Sequence, residues 1–368
     1  MKVLHVNAGL EEGGAKTHIL SLLSQFDAHI AELLVLEEGI VAREARALGI
    51  TVRSISQTSR YDLSILKKMI TLINEGQYDI VHTHGARANL MLSLIKKRIN
   101  ATWLTTVHSN PQLDFVGRGF KGRVFSYLNV RSLKKADGLI TVTEEFKKDL
   151  TDMGIPGTNI AVVYNGLLFD GQKPSVKAHS VFTISYIARL TPIKGHEFLF
   201  ESLKASSLND FHLNVIGDGE LRETLEQKAQ ELKLANNIQF HGFLDKLAIE
   251  QILQQTDLSV LASYSEGFPL ALLESANQRV PFISTDVGEV ALLVPDKTYG
   301  WLVPVGDKAA FSQALKEAYA DWQTNTLKEK GENLFELASN QFSQEQFYQE
   351  TVAVYEKYNS KTRHVDKM

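Results

Sequence analysis

The segment SEGFPLALLE (265–274) places two carboxylates, Glu266 and Glu274, eight residues apart. Spacing alone carries little, because Glu223 and Glu231 repeat it inside a plain amphipathic stretch. Context separates the two pairs. Ser265, Glu266, Gly267 and Phe268 follow a strand-like run, and Pro269 suits the first turn of a helix. The amides of Phe268 and Leu270 could then face a phosphate, with Glu266 in a loop. Glu274, about two turns in, could accept hydrogen bonds from ribose hydroxyls. Both acids also fit an ordinary helix start, where the dipole favours negative charge. A second set is cationic: YIARLTPIKGHE (186–197) holds Arg189 and Lys194 five residues apart. A planar guanidinium and a point-charge ammonium can neutralise a diphosphate, or simply stand as solvated loop cations. A third is NAGLEEGGAKTH (7–18), where Gly13-Gly14 feeds a helix start whose amides attract an anion. A phosphate, a sugar or no ligand fits that turn.

His108 ends the strand-like TTVHSN, where it could bind a sugar hydroxyl, move a proton or be structural. His82 and His84 alternate in YDIVHTHG, but no third ligand is in view, so no metal site is expected. No D-x-D triplet occurs, although enzymes that hold a sugar nucleotide through a divalent metal commonly carry one. Charge neutralisation by Arg189, Lys194 and a helix N-terminus is expected instead. No G-x-S-x-G elbow supports a serine hydrolase. The glycines at 9, 13 and 14 do not make the dinucleotide fingerprint, although Glu37 and Glu38 end a strand where a ribose-binding acid would lie.

The elements that must position these groups alternate strand and helix. Strands are expected at 3–7, 33–36, 51–55, 78–85, 103–108, 137–143 and 160–166, with helices at 15–25, 62–75, 86–98 and 144–153 and a long helical stretch leading up to 137. The polar stretch 167–180 reads as a linker. Strands follow at 182–190, 211–219, 238–243, 257–264 and 280–285, separated by helices at 195–205, 219–234, 246–255 and 269–278. A closing amphipathic helix is expected over 341–359. Such alternation predicts an α/β chain with doubly wound parallel sheets. The expected domains are 1–170, 171–340 and a terminal helix 341–368. Gly13-Gly14, His84, His108, Asn165, Arg189, Gly217-Asp218-Gly219 and Glu266 all fall at carboxyl ends of strands. Because both halves contribute, a cleft between two domains is expected to hold the ligand.

The 368 residues are 44% apolar and 22% charged, with no cysteine and a net charge of −4. At about 150 residues per domain, two domains are expected. The composition excludes bulk disorder, a disulfide scaffold, a cysteine-ligated metal and a thiol nucleophile. The charge gives no basis for nucleic-acid binding. No apolar run approaches the ~18 residues of a membrane span, and the run after Met1 is too short for a signal core. A cytoplasmic location is expected.

Taken in order, the Gly13-Gly14-Ala15 turn, YDIVHTHG, TVHS, VVYNG, ARLTPIKG, VIGDGE, FHGF and SEGFPLALLE resemble the retaining glycosyltransferases of GT-B fold, often called family 4. The resemblance runs from that turn to about Val303, and its strength lies in the ordered set. It implies two Rossmann-like domains facing a central cleft, with the C-terminal helix returning to the first. It implies a nucleotide-sugar donor, a UDP-sugar by family frequency, and no further cofactor. Arg189 and Lys194 would hold the diphosphate, Glu274 the ribose, and Glu266 and His108 the donor sugar. Gly14 would approach the diphosphate, and Gly217-Asp218-Gly219 would shape the site near the nucleotide. Two departures stand out: Ala188 replaces a glycine before the matching arginine, and TDVGEV carries one glycine where many members have two.

The implied reaction transfers a hexose or N-acetylhexosamine, α-linked, to a hydroxyl of a surface-polysaccharide, glycolipid or cell-wall precursor. A UDP-sugar epimerase of related fold and an inactive partner subunit are the alternatives, though loss of donor-site residues would be expected of the latter. Residues 115–135 mix aromatics with Arg and Lys, so they fit a helix lying on the anionic inner face of a membrane or a merely solvated helix face.

Overall fold

The structure, a computed structural model, describes residues 1–11, 14–55, 64–112, 119–170 and 180–365. Most of the expected linker, 171–179, lies outside them, as does Gly13. The chain divides into two α/β units, Met1–Gly166 with Gln344–Met368, and Leu167–Ser343.

The first unit carries β1 (Val3–Asn7), α1 (Gly14–Leu23), β2 (Ala31–Val35), α2 (Ile40–Ala47), β3 (Val52–Ser54), α3 (Ser64–Glu75) and β4 (Ile80–His84). Then come α4 (Ala86–Ile95), β5 (Thr102–Val107), α5 (Gly119–Leu133), β6 (Gly138–Thr141), α6 (Glu144–Asp152) and β7 (Ile160–Val162). The strands pair in parallel in the order β3-β2-β1-β4-β5-β6-β7. Every residue of β1, β4 and β5 is buried, as expected when helices cover both faces of a sheet. The strand order reverses between β1 and β4, so the carboxyl ends of those strands and of β5 bound the ligand crevice such sheets provide.

The second unit carries β8 (Phe182–Ile187), α7 (His196–Ser206), β9 (Phe211–Ile216), α8 (Arg222–Glu231), β10 (Ile238–Gly242) and α9 (Lys246–Leu253). It continues through β11 (Leu258–Leu261), α10 (Leu270–Asn277), β12 (Phe282–Thr285), β13 (Gly300–Val303), α11 (Lys308–Gln323) and α12 (Leu327–Gln341). Its parallel sheet has the order β10-β9-β8-β11-β12-β13, with the reversal between β8 and β11. The loops after those two strands are the ones that carry Arg189, Lys194 and Glu266.

The last helix, α13 (Gln344–Val365), belongs to the first unit. Phe347, Val354, Tyr355 and Tyr358 pack with Val3, Leu22, Ile80, Leu104, Ile140 and Val163. Each such large side chain, fully buried, contributes about 1.5–3 kcal/mol. The approach is close enough that a side chain at Gly138 of β6 would begin 2.3 Å from the Tyr358 ring. The sequence pattern placed this helix, but passed over α2, β13, α11 and α12. β13 is four residues with glycine at its start, too short to show a period. α11 is opened by Asp307, whose carboxylate accepts from the Ala310 amide at 2.9 Å.

Candidate active site

In the second unit, β8 delivers Arg189 to a loop at the sheet reversal. Its guanidinium is exposed and has no partner among the described residues. Two glycines let the loop after β9 press against this segment. Gly217 has φ +136°, and a Cβ there would lie 2.1 Å from the Ala188 carbonyl oxygen. A Cβ on Gly219 would lie 2.5 Å from the Leu190 carbonyl oxygen. The contact is sealed by the Leu190 amide donating to the Asp218 carbonyl at 2.9 Å. Gly217 and Gly219 therefore hold the backbone that presents Arg189.

Lys194 closes a short 3-10 turn, Pro192–Lys194. The next residue, Gly195, is left-handed at φ +65°, and a Cβ there would meet the Ala262 carbonyl oxygen at 2.1 Å. That close approach, with the Tyr186 hydroxyl donating to the Lys194 carbonyl, docks the loop against the end of β11. The Lys194 ammonium then sits 2.5 Å from Glu266 Oε1, with the two side chains 18% and 11% exposed. Ser263 donates to the same carboxylate oxygen at 2.6 Å. The sequence singled out both ions but neither their pairing nor Ser263.

After Glu266 the chain is pinned by the single glycine of TDVGEV. Gly288 is left-handed, a Cβ there would sit 2.1 Å from the Gly267 carbonyl oxygen, and the Glu289 amide donates to that oxygen at 3.2 Å. Phe268 is buried against the ring of Phe342 at 4.7 Å. The helix begins one residue later than the sequence suggested. Pro269 is the extended cap and Leu270 the first helical residue, so Leu270 offers one of the free amides at that helix start while Phe268 lies outside it.

Glu274, in the second turn of α10, lines a small pocket with Lys246, Ile249, Glu250, Asn277 and Gln278. Burial pushes its carboxyl up to about 7, against the opposing pull of Lys246 and with a further push from Glu250. Asn277 Oδ1, also buried, has no hydrogen-bond partner. A carboxyl raised by burial and an unpartnered amide oxygen lining one pocket are acceptors open to O–H donors. Sequence reading missed Asn277, which follows Glu274 by three residues on the same helix face. His196 is buried against the Tyr186 ring at 4.6 Å with neither ring nitrogen bonded, and burial followed by the Lys194 charge lowers it to about 4.

In the first unit, the carboxyl ends of β1, β4 and β5 gather histidines. Strand register sets His5 beside His82, Asn7 beside His84, and His84 beside Thr106. His82 Nε2 lies 2.7 Å from Thr106 Oγ1 and its Nδ1 2.6 Å from the Tyr355 hydroxyl. The same hydroxyl lies 3.3 Å from His5 Nε2. His5 Nδ1 is 3.0 Å from His84 Nε2, and His84 Nδ1 is 3.4 Å from His108 Nε2. His18, on α1, donates from Nδ1 to Asn165 Oδ1 at 2.8 Å and meets the His108 ring edge-on at 4.5 Å. Burial, then mutual repulsion, holds His5 down to about 3, and lowers His82, His84 and His108 as well. His18 is held at about 4 by burial, which outweighs its bond to Asn165. All five rings are neutral near pH 7.

Asn165 thus meets His18, and Gly14 opens α1 as its first residue. Two triads, His5–His82–His84 and His18–His84–His108, bring their ring nitrogens within 4.8 Å of one another. Every ring nitrogen of His5, His82 and His84 already has a hydrogen-bonding partner, so a metal would displace buried bonds rather than satisfy orphaned donors. Sequence reading named His82, His84 and His108 but missed His5, His18, Thr106 and Tyr355. The available signal was His5 and Asn7 on alternate positions of β1, matching His82 and His84 on β4.

Two family models match the chain, Glycosyltransferase Family 4 over residues 12–167 and Glycosyl transferases group 1 over residues 171–334. The chain is 24% identical over 373 residues to an uncharacterized 41.2 kDa protein in the cps region of Klebsiella pneumoniae, covering 97% of this chain and 100% of the relative. It is 24% identical over 290 residues to the UDP-Gal:alpha-D-GlcNAc-diphosphoundecaprenol alpha-1,3-galactosyltransferase of Escherichia coli, 74% of each chain. Among solved structures, Anabaena HepE in complex with UDP and glucose superposes with TM-score 0.83 at 18% identity, covering 97% of this chain and 100% of that one. A glycosyltransferase from Rickettsia africae gives TM-score 0.80 at 21% identity, covering 97% and 98%.

Proposed function

Because the chain belongs to the glycosyltransferases that join a Family 4 half to a group 1 half, we propose that it is a retaining, metal-independent enzyme using a UDP-hexose or UDP-N-acetylhexosamine. The acceptor is a hydroxyl of a lipid-linked or polysaccharide precursor, and the new bond is α. The observation that carries the reading is the unpartnered Arg189 beside the Lys194–Glu266 pair at the β8/β11 reversal. A diphosphate there takes charge from both cations, and the ribose hydroxyls donate to Glu274 and Asn277. The nucleotide of the HepE complex and the UDP-Gal donor in the name of the Escherichia coli relative support a uridine nucleotide.

In the proposed step the bond from the anomeric carbon to the diphosphate oxygen breaks, and its electron pair leaves with UDP. Arg189, Lys194 and the start of α10 stabilise that charge as it develops. The acceptor oxygen attacks the same face, and its proton passes to the departing phosphate oxygen. Glu266 and His108 contact the donor sugar; neutral His108 adds no positive charge beside it. Thermal shift with UDP, GDP, ADP, UDP-sugars and NAD tests the donor. UDP at 100 times its dissociation constant should add about 2.7 kcal/mol. A shift with NAD alone would overturn the reading.

Helix α5 supports a peripheral place on the inner face of the cell membrane. Phe120 and Tyr127 are 79% and 61% exposed, Val124 and Phe125 are exposed with them, and Lys121, Arg123 and Arg131 share the helix. Residues 115–118 of the basic stretch lie outside the described residues. Among the described residues no helix is long and apolar enough to cross a membrane. Each cation near an anionic surface is worth about 1 kcal/mol. The protein should therefore float with anionic vesicles at low salt, and reversing Lys121 and Arg123 to Glu should release it. Absence of low-salt flotation sinks this part of the reading.

A further inference from the structure

In the first unit His82, His5, His84 and His108 form, with Tyr355, a line with two ends, Thr106 and His108. Each neutral imidazole in it has one proton and one lone pair, and Tyr355 has one proton to give. The direction of any one link therefore fixes the direction of all the others. Either every proton points toward Thr106, or every proton points toward His108.

The Tyr355 hydroxyl chooses between them. It lies 2.6 Å from His82 Nδ1 but 3.3 Å from His5 Nε2. A phenol is a stronger donor than acceptor, and O–H donors make shorter bonds than N–H donors. The hydroxyl thus donates to His82, whose proton must sit on Nε2 and go to Thr106 Oγ1. The phenol oxygen accepts from His5 Nε2–H, and His5 Nδ1 accepts from His84 Nε2–H. His84 Nδ1 is then a lone pair, and among the described residues its partner is His108 Nε2, which must donate to it. We propose that this line, anchored by Tyr355 on the returning helix α13, holds His108 in the tautomer with its proton on Nε2 and its lone pair on Nδ1. Tyr355, His82, His5 and His84 are positioning residues. They make His108 a hydrogen-bond acceptor toward whatever ligand meets Nδ1, such as the hydroxyl of a sugar.

The proposal concerns a proton position and stands without the reading above; only its kinetic arm rests on that reading. Replacing Tyr355 by Phe leaves His5 Nε2–H facing a ring edge. A buried N–H without an acceptor is less tolerable than a bare acceptor. His5 should therefore move its proton to Nδ1 and donate to His84, which then donates from Nδ1 to His108. His108 must in turn carry its proton on Nδ1 and become a donor. Thr106→Val, a substitution at the other end of the line, removes the acceptor of His82 and should reverse every link, with the same outcome at His108.

The test is side-chain nitrogen NMR on the intact chain, labelled with 15N-histidine and free of nucleotide, with His108 assigned by its loss in His108→Asn. In the native protein the pyrrole-type signal of His108 should be Nε2. In Tyr355→Phe and in Thr106→Val it should exchange to Nδ1. A native His108 that is charged or Nδ1-protonated overturns the proposal, as does an unchanged tautomer in both variants. With the donor saturating, both variants should lose transfer rate while binding UDP as the native chain does. A tautomer that moves without any loss of transfer sustains the proposal and removes His108 from the reaction instead.

Discussion

Lys194→Ala is expected to lower sugar transfer by roughly 10²–10³-fold, the usual cost of removing one group that stabilises developing charge. The geometry makes the loss specific. Lys194 is held by a left-handed glycine turn, by the Tyr186 hydroxyl and by the Glu266 carboxylate. Its ammonium therefore waits in place and need not be ordered when the donor arrives, which is the condition for efficient charge stabilisation. Its loss also strands Glu266, which would keep Ser263 as a donor but no cation. That should cost about 1–3 kcal/mol of stability. UDP affinity should fall along with the rate.

Glu266→Gln separates the two contributions. In the ligand-free chain Glu266 neutralises Lys194, so it competes with any diphosphate for that cation. The amide removes the competitor while keeping the shape. UDP alone should bind as tightly as to the native chain, or a few-fold tighter, whereas transfer should fall by orders of magnitude because the sugar contact is changed. Titration calorimetry with UDP and a turnover assay read the two effects separately. If both variants kept native turnover, the site would have to be sought away from the β8/β11 reversal.

What could be read in the sequence follows from how local each feature is. Strand–helix alternation depends on neighbouring residues, and it placed every strand except β13. Strand ends were set too long because burial outlasts pairing: Val163 is buried, yet β7 ends at Val162. Glu266, Lys194, Arg189 and Glu274 were visible as residue types in motifs. Their relation was not. The Lys194–Glu266 pair spans 72 residues and exists only because β8 and β11 are sheet neighbours. The link from Tyr355 to His5 spans 350 residues, and a tyrosine on an amphipathic tail gives no sign that it will enter a histidine line. The glycines show the same limit. Gly217 and Gly219 read as shaping the site near the nucleotide, but nothing local to them signals that they press against the backbone on either side of Arg189.

Glu274→Gln should stabilise the free protein above pH 7 while weakening donor binding. In the unfolded chain this carboxyl titrates near its ordinary value of 4.5, but burial raises it to about 7 in the folded chain. Between those values the native state binds more protons than the unfolded state, so stability falls as pH rises and then levels off above 7. At 1.36 kcal/mol per unit, reduced for partial exposure, the penalty is about 1–3 kcal/mol. The glutamine variant carries no such penalty. Its stability advantage should be absent at pH 4.5, grow toward pH 7 and stay constant beyond, as read by denaturant titration at several pH values. Donor binding runs the other way. Ribose hydroxyls prefer the ionised carboxylate, so UDP affinity of the native chain should rise as pH increases toward 7 and then plateau. In the variant it should be lower by roughly tenfold, the loss of one charge-assisted bond, and flat across the same range. A variant that bound UDP with the native pH profile would show that Glu274 is not the ribose acceptor. Its raised carboxyl would then be only the result of burial beside Glu250.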